Sequence, residues 1–220
     1  MKYLKYYLLS ALIIALDQGV KLWVYQYMQM GYNGEIKILG DLFKLHYTLN
    51  PGMAMGIGLD WLGLPDGKLF LTLFRILAVF AIGYYLYTLI EKNTNKGFLW
   101  CIALILGGAI GNVLDSTFYG VILNNAPYGV STPWFHGQVI DMFYIDIWEG
   151  YLPSWIPIVG GQYYSFWPIF NVADASIFVS VCVILIFQKR FFNETGIISE
   201  NKTIDENSLK AVDNESPTSN

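Results

Sequence analysis

The chain has 220 residues, 55% of them hydrophobic and 14% charged, against about 25% charged in an ordinary soluble domain. That is the composition of a membrane protein, and a net charge of −4 argues against nucleic acid or anionic surfaces as partners. Cys101 and Cys182 lie in apolar runs and His46 and His136 stand in no ligand-like spacing, so neither a disulfide framework nor a metal site is expected.

In chain order, apolar stretches near the length that crosses a hydrocarbon core occupy residues 3–27, 68–90, 97–114 and 167–188, since about 20 residues at 1.5 Å each are needed. The first follows Lys2 and Lys5 but no A-x-A-like cleavage site comes after it, so it is read as a retained helix. Lys2 and Lys5, Lys92 and Lys96, and Lys189 and Arg190 all fall on one side of these spans. By the positive-inside rule both termini are cytoplasmic.

Two extracytoplasmic segments remain. In the first, Phe43, Leu45, Tyr47 and Leu49 alternate with Lys44, His46, Thr48 and Asn50, which predicts a half-buried strand and a small outer sheet. The second runs from Asp115 to Phe166 without Lys or Arg and holds Pro127, Pro133, Pro153 and Pro157 among many aromatics. It is expected to be an irregular segment at the membrane interface. The fold class is thus an all-α membrane protein of four transmembrane helices with a small extracytoplasmic β-sheet and an interfacial loop, over residues 1–190. Polar residues dominate 191–220, so this stretch is expected to be a disordered cytoplasmic tail.

Ionisable residues inside membrane spans are costly and point to function. Asp17 and Lys21 are spaced i, i+4, Asn112 and Asp115 i, i+3, Asn171 and Asp174 i, i+3, so each pair shares a helix face. Counted from 167 and 68, Asp174 and Arg75 both stand seven residues below the outer ends of their spans, roughly 10 Å deep. Asp141 can return to the same rim from the long loop, where Asp146 is a third acid. Two carboxyls that share a proton supply a base for water and an acid for a leaving group. That chemistry is aspartyl hydrolysis. Plainer readings stand beside it: Asp17 with Lys21 as a helix ion pair, Gly107, Gly108 and Gly111 as packing residues, Asn50-Pro51-Gly52 as a turn.

Five blocks resemble, in order, those of the lipoprotein signal peptidases (signal peptidase II). They are Asp17-Gln18-Gly19-Val20-Lys21, Asn50-Pro51-Gly52-Met53-Ala54-Met55-Gly56, Gly107-Gly108-Ala109-Ile110-Gly111-Asn112-Val113-Leu114-Asp115, Val139-Ile140-Asp141-Met142 and Phe170-Asn171-Val172-Ala173-Asp174. The resemblance implies an aspartic endopeptidase of the bacterial cytoplasmic (inner) membrane that cuts prolipoproteins before a diacylglyceryl-modified cysteine at the outer leaflet. It implies no cofactor, a lipid-embedded substrate and a monomer. Asp141 and Asp174 match the catalytic pair. Asn50, Gly52, Asn112, Asp115 and Asn171 match residues that orient substrate or the aspartates, with Asp17 and Lys21 shaping the first helix. Ser116 stands where the family commonly has Arg, and Arg75 is the cation expected to substitute for it. Met55 stands where Phe is frequent, and the loops on either side of Asp141 are longer than usual. Rival readings are an ion- or proton-coupled transporter, in which the buried Asp and Lys residues are relay groups, and a non-catalytic assembly factor.

Overall fold

The computed structural model describes residues 2–51, 66–156, 160–165 and 168–193. Gly52, Met55, Trp167 and 194–220, the bulk of the expected tail, lie outside the described residues. Among the described residues three helices are long and apolar enough to cross a membrane: α1 (Leu4–Tyr27), α2 (Gly67–Glu91), and a run that begins as α3 (Lys96–Leu114) and continues to Ile122. Their outer faces are apolar. On α1, Leu4, Leu8, Leu12 and Leu16 recur every fourth residue and are about half exposed, while Tyr6, Ser10, Asp17, Lys21 and Val24 on the other face are buried. A soluble monomer rarely shows such a continuous apolar stripe; hydrocarbon accommodates it.

Helix α3 is central, packed against α1, α2 and α5 (Val172–Ile186). Its glycines allow this. A Cβ on Gly108 would lie 2.5 Å from the Ala173 carbonyl, and one on Gly107 would lie 2.8 Å from the Ser10 carbonyl, so the packing role read for both is seen directly.

The expected end of the third span at residue 114 is overrun. A π-helical turn at Asp115–Tyr119 is followed by α4 (Gly120–Ile122). The loop beyond folds back to serve this turn: Phe135 N–H donates to the Thr117 carbonyl at 3.2 Å and Gly137 N–H to the Ser116 carbonyl at 3.0 Å. Carbonyls left without helical partners are thereby satisfied.

The outer sheet has three antiparallel strands in the order β1 (Ile36–Leu39), β2 (Phe43–Asn50), β3 (Val139–Ile145). Strand β2 matches the expected alternation in extent, but a register shift between Leu45 and Thr48 puts both His46 and Tyr47 in buried positions. Strand β3 corrects the expectation of an irregular second segment, which also contributes a hairpin of β4 (Glu149–Tyr151) and β5 (Tyr163–Ser165).

The fourth apolar stretch is shorter than expected. Phe170 is extended and exchanges backbone hydrogen bonds with Phe143 of β3, at 2.8 and 3.0 Å, so it cannot join a helix. Asn171 then caps α5, whose 15 residues span roughly 22 Å, before α6 (Gln188–Asn193) continues. Asp174 is consequently in the first turn of α5, three residues past the cap, and not seven below a helix end. Phe191, expected to open the tail, is buried in α6 beside Gly97.

Two apolar clusters result. One gathers Tyr6, Ile90, Leu99, Ala103 and Leu106 towards one end of the bundle; the other gathers Val24, Tyr47, Tyr119, Ile140 and Met142 under the sheet. Buried Asp17 and Lys21 lie between them along α1, whose Tyr6 belongs to the first cluster and Val24 to the second.

Candidate active site

The bridge between Phe170 and Phe143 carries the chain from β3 to the start of α5, and so sets Asp141 beside Asn171 and Asp174. Neighbours in a strand point to opposite faces: Ile140 and Met142 enter the apolar cluster, leaving Asp141 to face the helices.

Both oxygens of Asp141 are occupied by amides. Asn171 Nδ2 donates to Oδ1 at 2.6 Å and Asn50 Nδ2 to Oδ2 at 3.0 Å. Asn50 reaches it because β2 pairs with β3 in a register that sets Thr48 opposite Asp141. Asp174 is bound in the same manner. Asn112 Nδ2 donates to its Oδ1 at 2.8 Å and the Asn171 backbone N–H to its Oδ2 at 3.4 Å, while Asp174 N–H returns to Asn171 Oδ1 at 2.9 Å. This reciprocal pair is a capping box. Asn171 therefore contacts both carboxyls at once. Burial pushes the Asp141 carboxyl up to about 7, and the charge of Asp174 adds to this against the opposing pull of Asn50, Asn171 and Lys21.

Beneath the pair lies a fully buried ion triad. Lys21 Nζ meets Asp17 Oδ2 and Asp115 Oδ2, each at 2.7 Å, and donates to Asn112 Oδ1 at 2.9 Å. Lys21 is the sole partner of Asp115 Oδ2 among the described residues, in an ion pair and not an aligned hydrogen bond. Asp17 Oδ1 accepts the Ala173 N–H at 2.9 Å, from the residue next to Asp174. The i, i+4 pair read from sequence is thus present but is only half of the arrangement, which ties α1, α3 and α5 together. Gly111 is needed here, since a Cβ there would stand 2.6 Å from Asp17 Oδ2.

Arg75 projects from α2 and donates through Nη1 towards Ser116 Oγ at 3.5 Å, within the electrostatic reach of Asp174 and Asp141. It thus lies beside Ser116, the position at which the resemblance implies an Arg. Asp146 is not brought in: it pairs with Lys44 at 3.0 Å.

Several neighbours went unnoticed in the sequence. Gln18 donates to Asp17, to the Gly111 carbonyl and, at 2.8 Å, to Asp115 Oδ1, and accepts from Tyr119 OH at 2.9 Å. Its place beside Asp17 was the available signal; Tyr119 offered none. Lys68, one residue into α2, has a buried Nζ with no hydrogen-bond partner among the described residues and feels the charges of Arg75 and Asp115. Just before α2, Asp66 Oδ2 contacts His136 Nε2 at 2.8 Å, and within α2 Thr72 Oγ1 donates to the Phe135 carbonyl at 2.8 Å, clasping the long loop to the start of the helix. Burial raises the Asp66 carboxyl, but the Leu69 N–H and His136 outweigh it and hold it below the usual range. Among the described residues no group of three or more His, Cys, Asp and Glu is arranged to hold a metal ion.

Residues 9–190 match the family described as Signal peptidase (SPase) II. A lipoprotein signal peptidase of Amoebophilus asiaticus is 51% identical over 183 residues, covering 83% of this chain and 76% of the relative. One from Porphyromonas gingivalis is 38% identical over 193 residues, covering 83% and 81%. The fold resembles that of a bacterial membrane enzyme determined by the in meso method at 2.3 Å resolution, with a TM-score of 0.57, 21% identity and coverage of 86% and 90%.

Proposed function

The chain belongs to the signal peptidase II family, and from that membership we propose that Asp141 and Asp174 are its two catalytic carboxyls, held by Asn171 between them. The protein is a bacterial membrane aspartic peptidase that processes prolipoproteins. Family membership disfavours the transporter reading.

The observation that carries the assignment is the double contact of Asn171: its amide holds Asp141 at 2.6 Å while its backbone N–H and side-chain oxygen hold Asp174. Two carboxyls so linked divide the labour of peptide hydrolysis. Asp174 is the base that takes a proton from water as it attacks the scissile carbonyl. Asp141, raised to about 7, holds a proton near neutrality and delivers it to the departing amine. The amine is that of the lipid-modified cysteine, whose acyl chains stay in the bilayer while the bond is cut. Asn112 and Asn50 fix the carboxyl rotamers, and the Asp17–Lys21–Asp115 triad fixes Asn112. Arg75 meets substrate oxygens above Ser116.

In this reading α5 with α6 forms a fourth span, both termini are cytoplasmic, and the pair opens to the outer leaflet of the cytoplasmic membrane. In the same reading the peptidase acts as a monomer. The test is cleavage of a diacylglyceryl-modified prolipoprotein by the purified protein and its Asp141→Asn and Asp174→Asn variants. Cleavage by the parent and by neither folded variant is expected. An active variant at either position removes that residue from the pair.

A further inference from the structure

At the opposite end of the bundle from the aspartates is a cavity of about 750 Å³ bounded by the start of α1, the turn between α2 and α3, and the ends of α5 and α6. Four cations line it: Lys2, Lys5, Lys96 and Arg190. No acid lines it. Its inner wall is apolar, including the buried Tyr6, Ile90 and Leu99 together with Val183 and Phe187. Nothing in the peptidase reaction uses it.

The cations differ in what already holds them. Lys2 lies 3.9 Å from Glu91, and Lys5 stands over the rings of Tyr6 and Trp100 at 4.8 and 5.9 Å. Lys96 and Arg190 make no hydrogen bond or ion pair among the described residues. Thr94 and Asn93 add polar groups at the same mouth. The chain's net charge of −4 hides this local positive field. The positive-inside bias accounts for cations in flanking loops, but it does not require cations from different elements to converge on one apolar-walled cavity.

We propose that this cavity is a binding site for an anionic glycerophospholipid of the leaflet at this end. The phosphate sits between Lys96, Arg190 and Lys5, and the upper part of one acyl chain lies against Val183, Phe187 and Ile90. Charge complementarity selects the anion, and the apolar wall selects a lipid over a soluble phosphate. Basic pockets between membrane helices bind such headgroups. The bound lipid joins the start of α1 and the end of α5 with α6 to the α2–α3 turn, and so stabilises the helix packing without touching the aspartates.

The experiment uses the full chain in nanodiscs of phosphatidylcholine alone, or with one lipid in three replaced by phosphatidylglycerol. Phosphatidylglycerol is expected to raise the unfolding midpoint by roughly 5 °C. Two variants should lose that rise while folding normally in phosphatidylcholine: Lys96→Gln with Arg190→Gln, which removes the anion contacts, and Val183→Trp, which fills the cavity with every charge kept. The proposal is overturned if the parent shows no rise, if either variant keeps it, or if glycerol 3-phosphate added to phosphatidylcholine discs produces the same rise. Phosphatidylglycerol retained through purification by the parent and by neither variant would be the matching direct observation.

Discussion

Asn171 donates to Asp141 across 2.6 Å and, through its own backbone and side-chain oxygen, also holds Asp174, so one residue both caps a helix and joins two carboxyls. The two duties are separable by substitution. Asn171→Ser keeps a good N-cap but is too short to hold Asp141. We expect its stability to stay close to the parent's and kcat to fall on the order of 100-fold. Asn171→Ala loses the cap as well, with about 1 kcal/mol of stability gone. Equal kcat in the parent and the Ser variant would separate Asn171 from catalysis.

The pH dependence follows from Asp141, whose carboxyl is raised to about 7. Because it binds its proton more tightly folded than unfolded, its ionisation weakens the fold as pH rises from about 4 to 7, and the protein is steadier on the acid side of that window. Activity should fall above about pH 7 as the acid is lost. Asp141→Asn should flatten the stability profile over the same window, as read by thermal unfolding in detergent at a series of pH values. An unchanged profile would mean that Asp141 is not the group titrating there.

Lys21 sits between two carboxylates with no solvent contact. Lys21→Met leaves Asp17 and Asp115 buried and uncompensated, and should cost about 3–5 kcal/mol. Adding Asp17→Asn to it should recover part of that loss, which a double-mutant cycle measures. Additive losses would mean that the two residues are energetically independent.

Arg75 reaches Ser116 from a neighbouring helix. Arg75→Ala should raise KM for the lipid-modified substrate while leaving the unfolding midpoint near that of the parent. Placing the cation on the other helix, by adding Ser116→Arg to Arg75→Ala, should restore KM. A single variant with parental KM sinks the substrate role.

The clasp between His136 and Asp66 also carries a pH signature, of opposite sign. Asp66 is held below the usual carboxylate range by the Leu69 N–H and His136, so its contribution is complete above about pH 4. It is lost as pH falls further through the folded value. Protection of the amides at the start of α2, after correction for intrinsic exchange, should fall in acid in the parent, and in Asp66→Ala it should be low throughout.

What could be read from the sequence was mostly what lies within one element. The i, i+3 and i, i+4 spacings gave Asn171 with Asp174 and Asp17 with Lys21, and the alternating pattern gave the limits of β2. Strand β3 was missed because Val139 to Met142 are buried in an unbroken row, so period two is invisible there. The start of α5 was misread because hydropathy scores Phe170 the same whether it is helical or paired with β3. Contacts between elements, such as Asn50 with Asp141, Gln18 with Asp115 and Arg75 with Ser116, are products of packing and leave no local signature. Lys68 was passed over because a lysine at the mouth of a span ordinarily snorkels to water.

The capping box on α5 has an evolutionary consequence. In many enzymes the catalytic carboxylate burdens the fold, and random drift or selection for robustness tends to erase it. Asp174 is instead the residue whose side chain closes the reciprocal cap with Asn171, so a substitution there loosens the helix start as well as the chemistry. Purifying selection on folding alone would therefore retain this aspartate in a lineage that had ceased to need the peptidase, and its persistence in such a descendant would not by itself testify to activity.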